Sequence, residues 1–123
     1  MTGLTFLWLS PVALAGVLLS QTPAQSRAVD DAARSILEAK CVVCHGQTRM
    51  SDLDLRDIKS TLAGGKRGPA IIPGRASESL LYKAVKREGD LQMPPGKTPL
   101  TAAEVETLRA WIDAGARWDS GAG

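Results

Sequence analysis

Apolar residues recur at helical spacing in separate stretches of this chain, and the pattern breaks down between them. In the first stretch Val29, Ala33, Ile36, Leu37 and Cys41 fall on one face, while Asp30, Asp31, Arg34 and Glu38 take the other. This predicts a helix over 29–43, with the two aspartates in its first turn, where the helix dipole favours them. The pattern fades after Gly46, and Gln47 to Asp57 reads as loop, with Leu53 and Leu55 alternating as in a short extended piece. Ile58 to Leu62 has room for a turn or two of helix before Gly64-Gly65 stops it. A second amphipathic helix is predicted over 78–87, capped by Ser77 and ended by Gly89, with Leu80, Leu81, Ala84 and Val85 inward. The last helix is the best signalled. Thr101-Ala102-Ala103-Glu104 is a capping box, Leu100 and Val105 stand at staple positions, and Val105, Leu108, Trp111 and Ile112 form its stripe before Gly115.

Between these elements lie two stiff loops, Gly68-Pro69-Ala70-Ile71-Ile72-Pro73-Gly74 and Leu91 to Pro99, whose prolines and glycines exclude regular helix. No strand pattern and no internal repeat is present. The pattern predicts a small all-α fold of three to five helices, with long Gly/Pro loops that wrap something they bind.

The N-terminus is different in kind. Met1 to Ser26 holds no charged side chain, and Leu4 to Leu19 is apolar except for Thr5, Ser10 and Pro11. That is the length of a signal-peptide core, and it is short of the roughly 20 apolar residues of a membrane span. Ala24-Gln25-Ser26 and Ser26-Arg27-Ala28 resemble cleavage boxes. Met1-Thr2-Gly3, however, lacks the usual Lys or Arg. Residues 1–26 are therefore read as a signal peptide, with a retained N-terminal anchor as the alternative. Residues 29–118 are read as the domain, and 119–123 as a tail or the start of a linker. The expected location is periplasmic or otherwise exported.

Composition sharpens this picture. The chain has three Trp, one Tyr and one Phe, and Phe6 and Trp8 lie in the leader. A domain of roughly 95 residues with so few aromatics is near the lower size limit for an independent core, so it would gain from a large apolar cofactor. The net charge is +2, with both signs interspersed, which excludes a nucleic-acid footprint.

Cys41-Val42-Val43-Cys44-His45 supplies candidate chemistry. Two thiols at this spacing reach the two vinyl groups of one porphyrin, and the imidazole after the second thiol meets the iron. The chain has two Cys and one His, and all three lie in this pentapeptide. Structural zinc needs four such ligands, so it would require a dimer. A thioredoxin-like pair belongs in a β/α setting that this chain lacks, and a plain disulfide leaves His45 unexplained. Covalent haem c, one per chain, is the expected cofactor.

With His45 on one side of the iron and no second histidine, a sixth ligand must come from Met or Lys, or stay absent. Met50 follows His45 by too short a chain to pass round the ring easily. Met93 lies in a loop stiffened by Pro94 and Pro95, with ample chain to do so. Met93 is thus the predicted distal ligand and His45 the proximal one. Such a pair suits one-electron transfer and leaves the iron no open position for catalysis. Pro69 is a candidate to accept a hydrogen bond from His45 Nδ1, its alternative role being that of a simple turn proline.

In order along the chain, CVVCHG, GPAIIPG, SLLYKAV, GDLQMPPGK and LTAAEVETLRAWIDAGARW resemble the planctomycete-type cytochrome c domain. The resemblance runs from about Ala32 to Trp118. It implies a class I-like cytochrome c fold, with Cys41 and Cys44 as thioether positions, His45 as proximal ligand and Met93 as distal ligand. It also implies that Trp111 packs the last helix across the Ala33/Leu37 face of the first. The loop after CVVCHG departs from the family's glycine-rich pattern, reading Arg49-Met50-Ser51-Asp52-Leu53.

The expected function is single-electron transfer between redox protein partners by a monomer, not enzymatic catalysis. Lys40, Lys66, Arg67 and Lys97 are candidates for a docking rim, against a plain solvated surface. The alternatives are an electron-entry domain of a larger protein, a haem-based sensor or ligand binder with a labile sixth ligand, and a haem-free dithiol protein.

Overall fold

In the computed structural model, residues 22–118 are described, together with the isolated positions 3, 5, 11 and 16. The signal-peptide assignment falls largely outside the described residues, as does the tail at 119–123. Among the described residues there are four α-helices and no strand: α1 (Pro23–Lys40), α2 (Ile58–Ala63), α3 (Leu80–Lys86) and α4 (Ala102–Asp113). The fold, over the described residues, is small and all-α.

Helix α1 begins six residues before the predicted start at Val29. Thr22 caps it, accepting from the Gln25 backbone N–H at 3.3 Å, and the Gln25 side chain returns a bond to the Thr22 N–H at 2.9 Å. Pro23 fits the first helical position, where no backbone donor is needed. Asp30 and Asp31 consequently lie beyond the first turn and do not serve the dipole as predicted. Both sequences that resemble cleavage boxes fall within the opening turns of this helix.

Ala33 and Leu37 of α1 are fully buried. They join Leu108, Trp111 and Ile112 of α4 in one core, and α1 with α4 is the most extensive helix pair. This matches the helix crossing that the resemblance implied. The α4 capping box is present, with Thr101 Oγ1 accepting from Glu104 N–H at 3.1 Å and Glu104 accepting from Thr101 N–H at 3.0 Å. After α4, Gly115 takes φ +110°, and the chain returns so that Trp111 Nε1 donates to the Arg117 carbonyl at 2.8 Å. Trp118 meets Trp111 edge-on, with ring centroids 6.2 Å apart.

Helix α3 starts later than predicted, and Ser77 is not its cap. A short 3-10 turn (Ala76–Glu78) precedes it, and Ser79 occupies the cap position without capping. The Ser79 hydroxyl is buried and committed elsewhere, donating to the Arg75 carbonyl and accepting from Ile72 N–H, both at 2.9 Å. It thereby ties the 70–75 loop to α3. The helix also ends at Arg87, in the left-handed region at φ 58°, before Gly89 is reached. Helix α2 matches its prediction, with Asp57 as cap and Gly64 as stop.

Candidate haem site

The pentapeptide begins where α1 ends. Cys41 is the C-cap of that helix, and both Cys41 and Val42 donate backbone bonds to the Leu37 carbonyl. The Cys44 and His45 N–H groups then donate to the Cys41 carbonyl, at 3.2 and 2.9 Å. One tight turn thus presents both thiols and the imidazole together. Gly46 is required for it, because a Cβ there would come within 2.5 Å of the Val42 carbonyl oxygen.

Both thiols are unbridged and partly buried. Burial pushes the Cys41 thiol up to about 11, and the nearby Glu104 carboxylate adds to the rise. Cys41 is therefore a neutral thiol at pH 7. A redox dithiol depends on a lowered thiol pKa in an electropositive setting, and this environment does the opposite. Among the described residues no group of three His, Cys, Asp or Glu side chains could hold a bare metal ion.

His45 is oriented by the loop that follows it. Its Nδ1 lies 2.9 Å from the Met50 carbonyl oxygen. The Met50 N–H donates to the Cys44 carbonyl at 2.9 Å, and Leu55 N–H donates to the His45 carbonyl at 2.7 Å. This corrects the assignment of Pro69 as acceptor. The 46–55 loop folds back through left-handed residues at Arg49, Ser51 and Asp52 (φ 50°, 57° and 58°), and so delivers the Met50 carbonyl first. Pro69 is exposed and packs instead beside the end of α2, where a Cβ on Gly64 would meet the Pro69 Cα at 2.7 Å. The loop is anchored further along by Asp54, which takes a two-pronged ion pair from the Arg56 guanidinium at 3.0 and 2.9 Å. That pairing holds the Asp54 carboxyl down at about 2.

Cys41, Cys44 and His45 open onto a cleft that encloses about 1010 Å³, counting the space at its open mouth. Its lining is mainly apolar, from Leu53 and Leu55 of the loop, Leu81, Ala84 and Val85 of α3, and Leu91. Met93, Pro94 and Pro95 line the same cleft. The structure therefore brings Met93 into one cavity with the pentapeptide across almost fifty residues of sequence. Met93 is held through its backbone: its N–H donates to the Ala84 carbonyl at 3.0 Å. The surrounding loop is pinned as well, by Arg87 to the Gly96 carbonyl at 2.7 Å and Gln92 to the Arg87 carbonyl at 3.2 Å. Met50, a residue 53% exposed, also lines the cleft. Of the four cations considered for a rim, Lys40, Lys66 and Arg67 line the cleft and Lys97 does not.

These residues fit a haem. The cleft is mainly apolar, as a porphyrin requires, and it carries two free thiols, one imidazole and the Met50 and Met93 thioethers. A helix bearing a Cys-x-x-Cys-His turn at its end, crossed by α4 beside such a cleft, is an arrangement that would hold a haem c. Residues 41–97 match the family model described as Planctomycete cytochrome C, which supports a planctomycete-type cytochrome c domain over that part of the chain. The match contains the pentapeptide, α2, α3 and the Met93 loop, while α1 and α4 lie outside it. No curated protein and no solved structure gave a significant match. The family carries haem c and has a haem-binding, electron-transfer role, and its domains are generally electron carriers and typically exported. Among the described residues no helix is long and apolar enough to cross a membrane.

Proposed function

We propose that this chain is an exported monohaem c-type cytochrome that carries single electrons between protein partners. Cys41 and Cys44 would hold the porphyrin through thioethers, His45 would be the proximal ligand, and Met93 the distal one. The observation that carries this reading is the shared cleft, in which a pinned Met93 loop and the Cys41–His45 turn meet across an apolar interior. When bound, the haem supplies one-electron chemistry, and a His/Met pair raises its potential because the soft thioether favours ferrous iron.

The chain's own residues define the setting. The Met50 carbonyl fixes the His45 ring and leaves Nε2 as the nitrogen that faces a metal. Leu53, Leu55, Leu81 and Val85 exclude water from the cleft wall, and a drier, less polar surrounding favours the less charged reduced state. His45 and Met93, if both held the iron, would leave no position for a substrate, which suits transfer rather than turnover.

The test is the mass and colour of the protein exported from a host with haem-maturation machinery. One covalently bound haem, lost when Cys41 and Cys44 are both replaced by Ala, is the expected result. A colourless protein of unmodified mass would overturn the proposal.

A further inference from the structure

Two separate segments meet beside the attachment turn. One is the 46–55 loop, whose Met50 carbonyl oxygen lies 2.9 Å from His45 Nδ1. The other is the turn at 64–68, closed by Gly65 N–H to the Gly68 carbonyl at 3.2 Å and Gly68 N–H to the Gly65 carbonyl at 3.0 Å. Lys66 N–H joins the two, donating at 2.8 Å to the Ser51 carbonyl, one residue past Met50. Among the described residues this is the one hydrogen bond that reaches 49–52 from outside the 41–55 segment. A Cβ on Gly65 would lie 2.4 Å from the same Ser51 oxygen and 3.1 Å from Leu53 N and Cβ. The neighbouring glycines differ in kind. Gly64 takes φ +77°, which its own backbone requires, whereas Gly65 lies outside the left-handed region. What excludes a side chain at 65 is therefore the loop across from it.

We propose that the 64–68 turn is a buttress that tunes the iron's potential, with Gly65 and the Lys66 amide as positioning residues that hold the Met50 carbonyl against His45. This rests on the haem reading above. Arg49, Ser51 and Asp52 carry left-handed backbone, and such strain relaxes unless its surroundings hold it. The Lys66 bond supplies that hold from outside the loop, in the middle of the strained span. Gly65 lets the turn come close enough to make it. A carbonyl kept on Nδ1–H raises the basicity of the imidazole as a ligand. A more basic ligand favours the oxidised state, so the buttress works against the thioether, which favours the reduced one. Loosening it should raise the potential.

The experiment is a potentiometric titration of haem-loaded Gly65→Ala, compared with wild type and with Gly74→Ala. Gly74 takes φ +83°, and a Cβ there would meet open space. Its alanine variant therefore strains the backbone without touching the 46–55 loop. Gly65→Ala must displace the Ser51 carbonyl, and with it the Met50 carbonyl. At the wild-type midpoint its ferrous-to-ferric ratio should rise by roughly two- to tenfold, the weight of one neutral hydrogen bond. The His45 Nδ1–H proton resonance of the reduced protein should also move, and that proton should exchange faster with solvent. Gly74→Ala should lose stability in urea yet keep the wild-type potential and resonance. If Gly65→Ala fails to load haem, amide exchange in the wild type decides, since Lys66 and Met50 N–H should be protected alike and open together. A Lys66 amide that exchanges as in an unstructured chain overturns the buttress. So does a Gly65→Ala potential that is unchanged, lowered, or raised no more than in Gly74→Ala. Each of these outcomes leaves the haem reading intact, whereas a wild type without covalent haem overturns both.

Discussion

His45 Nδ1 sits 2.9 Å from the carbonyl oxygen of Met50, five residues along the chain. The contact exists because three non-glycine residues, Arg49, Ser51 and Asp52, take positive φ in close succession. Each such residue costs on the order of 1 kcal/mol, and such strain persists only where surrounding contacts enforce it. Here the enforcing bonds are Met50 N–H to Cys44, Leu55 N–H to His45 and Lys66 N–H to Ser51.

Replacing Ser51 by Gly removes the steric cost at that position. Chemical denaturation should show a gain of about 0.5–1 kcal/mol, with the haem spectrum unchanged. Ser51→Val, which is β-branched, should lose stability by a larger amount. Equal stability for the two variants would mean that the left-handed turn is not what the folded protein adopts.

The Asp54–Arg56 pair gives a pH signature. The Asp54 carboxyl is depressed to about 2 by the Arg56 guanidinium, below the ordinary aspartate value near 3.9. Its contribution is therefore complete above about pH 4 to 5 and is lost as pH falls through about 2. The Arg56 side chain is half exposed, so screening limits the contribution to about 1 kcal/mol or less. Asp54→Asn should cost that much at pH 7, and the gap to wild type should close under acid. A gap that stayed constant down to pH 2 would refute the pairing.

Trp111 holds the crossing of α1 and α4. It is 1% exposed, its indole N–H is satisfied by the Arg117 carbonyl, and Trp118 packs edge-on against it. Trp111→Ala should cost about 3–5 kcal/mol in urea unfolding of the haem-loaded protein. Trp111→Phe should cost less, since it keeps most of the apolar volume and loses the hydrogen bond. A cost below about 1 kcal/mol for the alanine variant would contradict the core described above.

What the sequence made legible follows from which interactions are local. The α4 capping box, the Ile58 to Leu62 helix with its glycine stop and the Cys-x-x-Cys-His turn are each encoded within a few residues, and each is readable directly. The start of α1 was equally local, since Thr22-Pro23-Ala24-Gln25 is a capping box with Pro at the first position, yet it was obscured by its place at the end of the apolar leader. Ser79 could not be told from Ser77 by pattern, because its role depends on Ile72 and Arg75 in a neighbouring loop. The Met50 carbonyl was hidden for another reason: nothing in Arg-Met-Ser-Asp announces a left-handed turn, where glycine is the usual mark. Leu53 and Leu55 read in the sequence as a short extended piece, not as walls of the cleft. Their role emerges only when α3 and the 91–95 loop close over them.

The central claim is that Met93 closes the iron site opposite His45, and one comparison tests it most directly. The exported protein and its Met93→Ala variant are titrated redox-potentiometrically, with absorption spectra recorded in both states. The account predicts covalent haem in both proteins, a change of axial ligation in the variant, and a potential lower than wild type because the thioether that favours ferrous iron is gone. A variant with the same c-type spectrum, the same ligation and the same potential as wild type would contradict it.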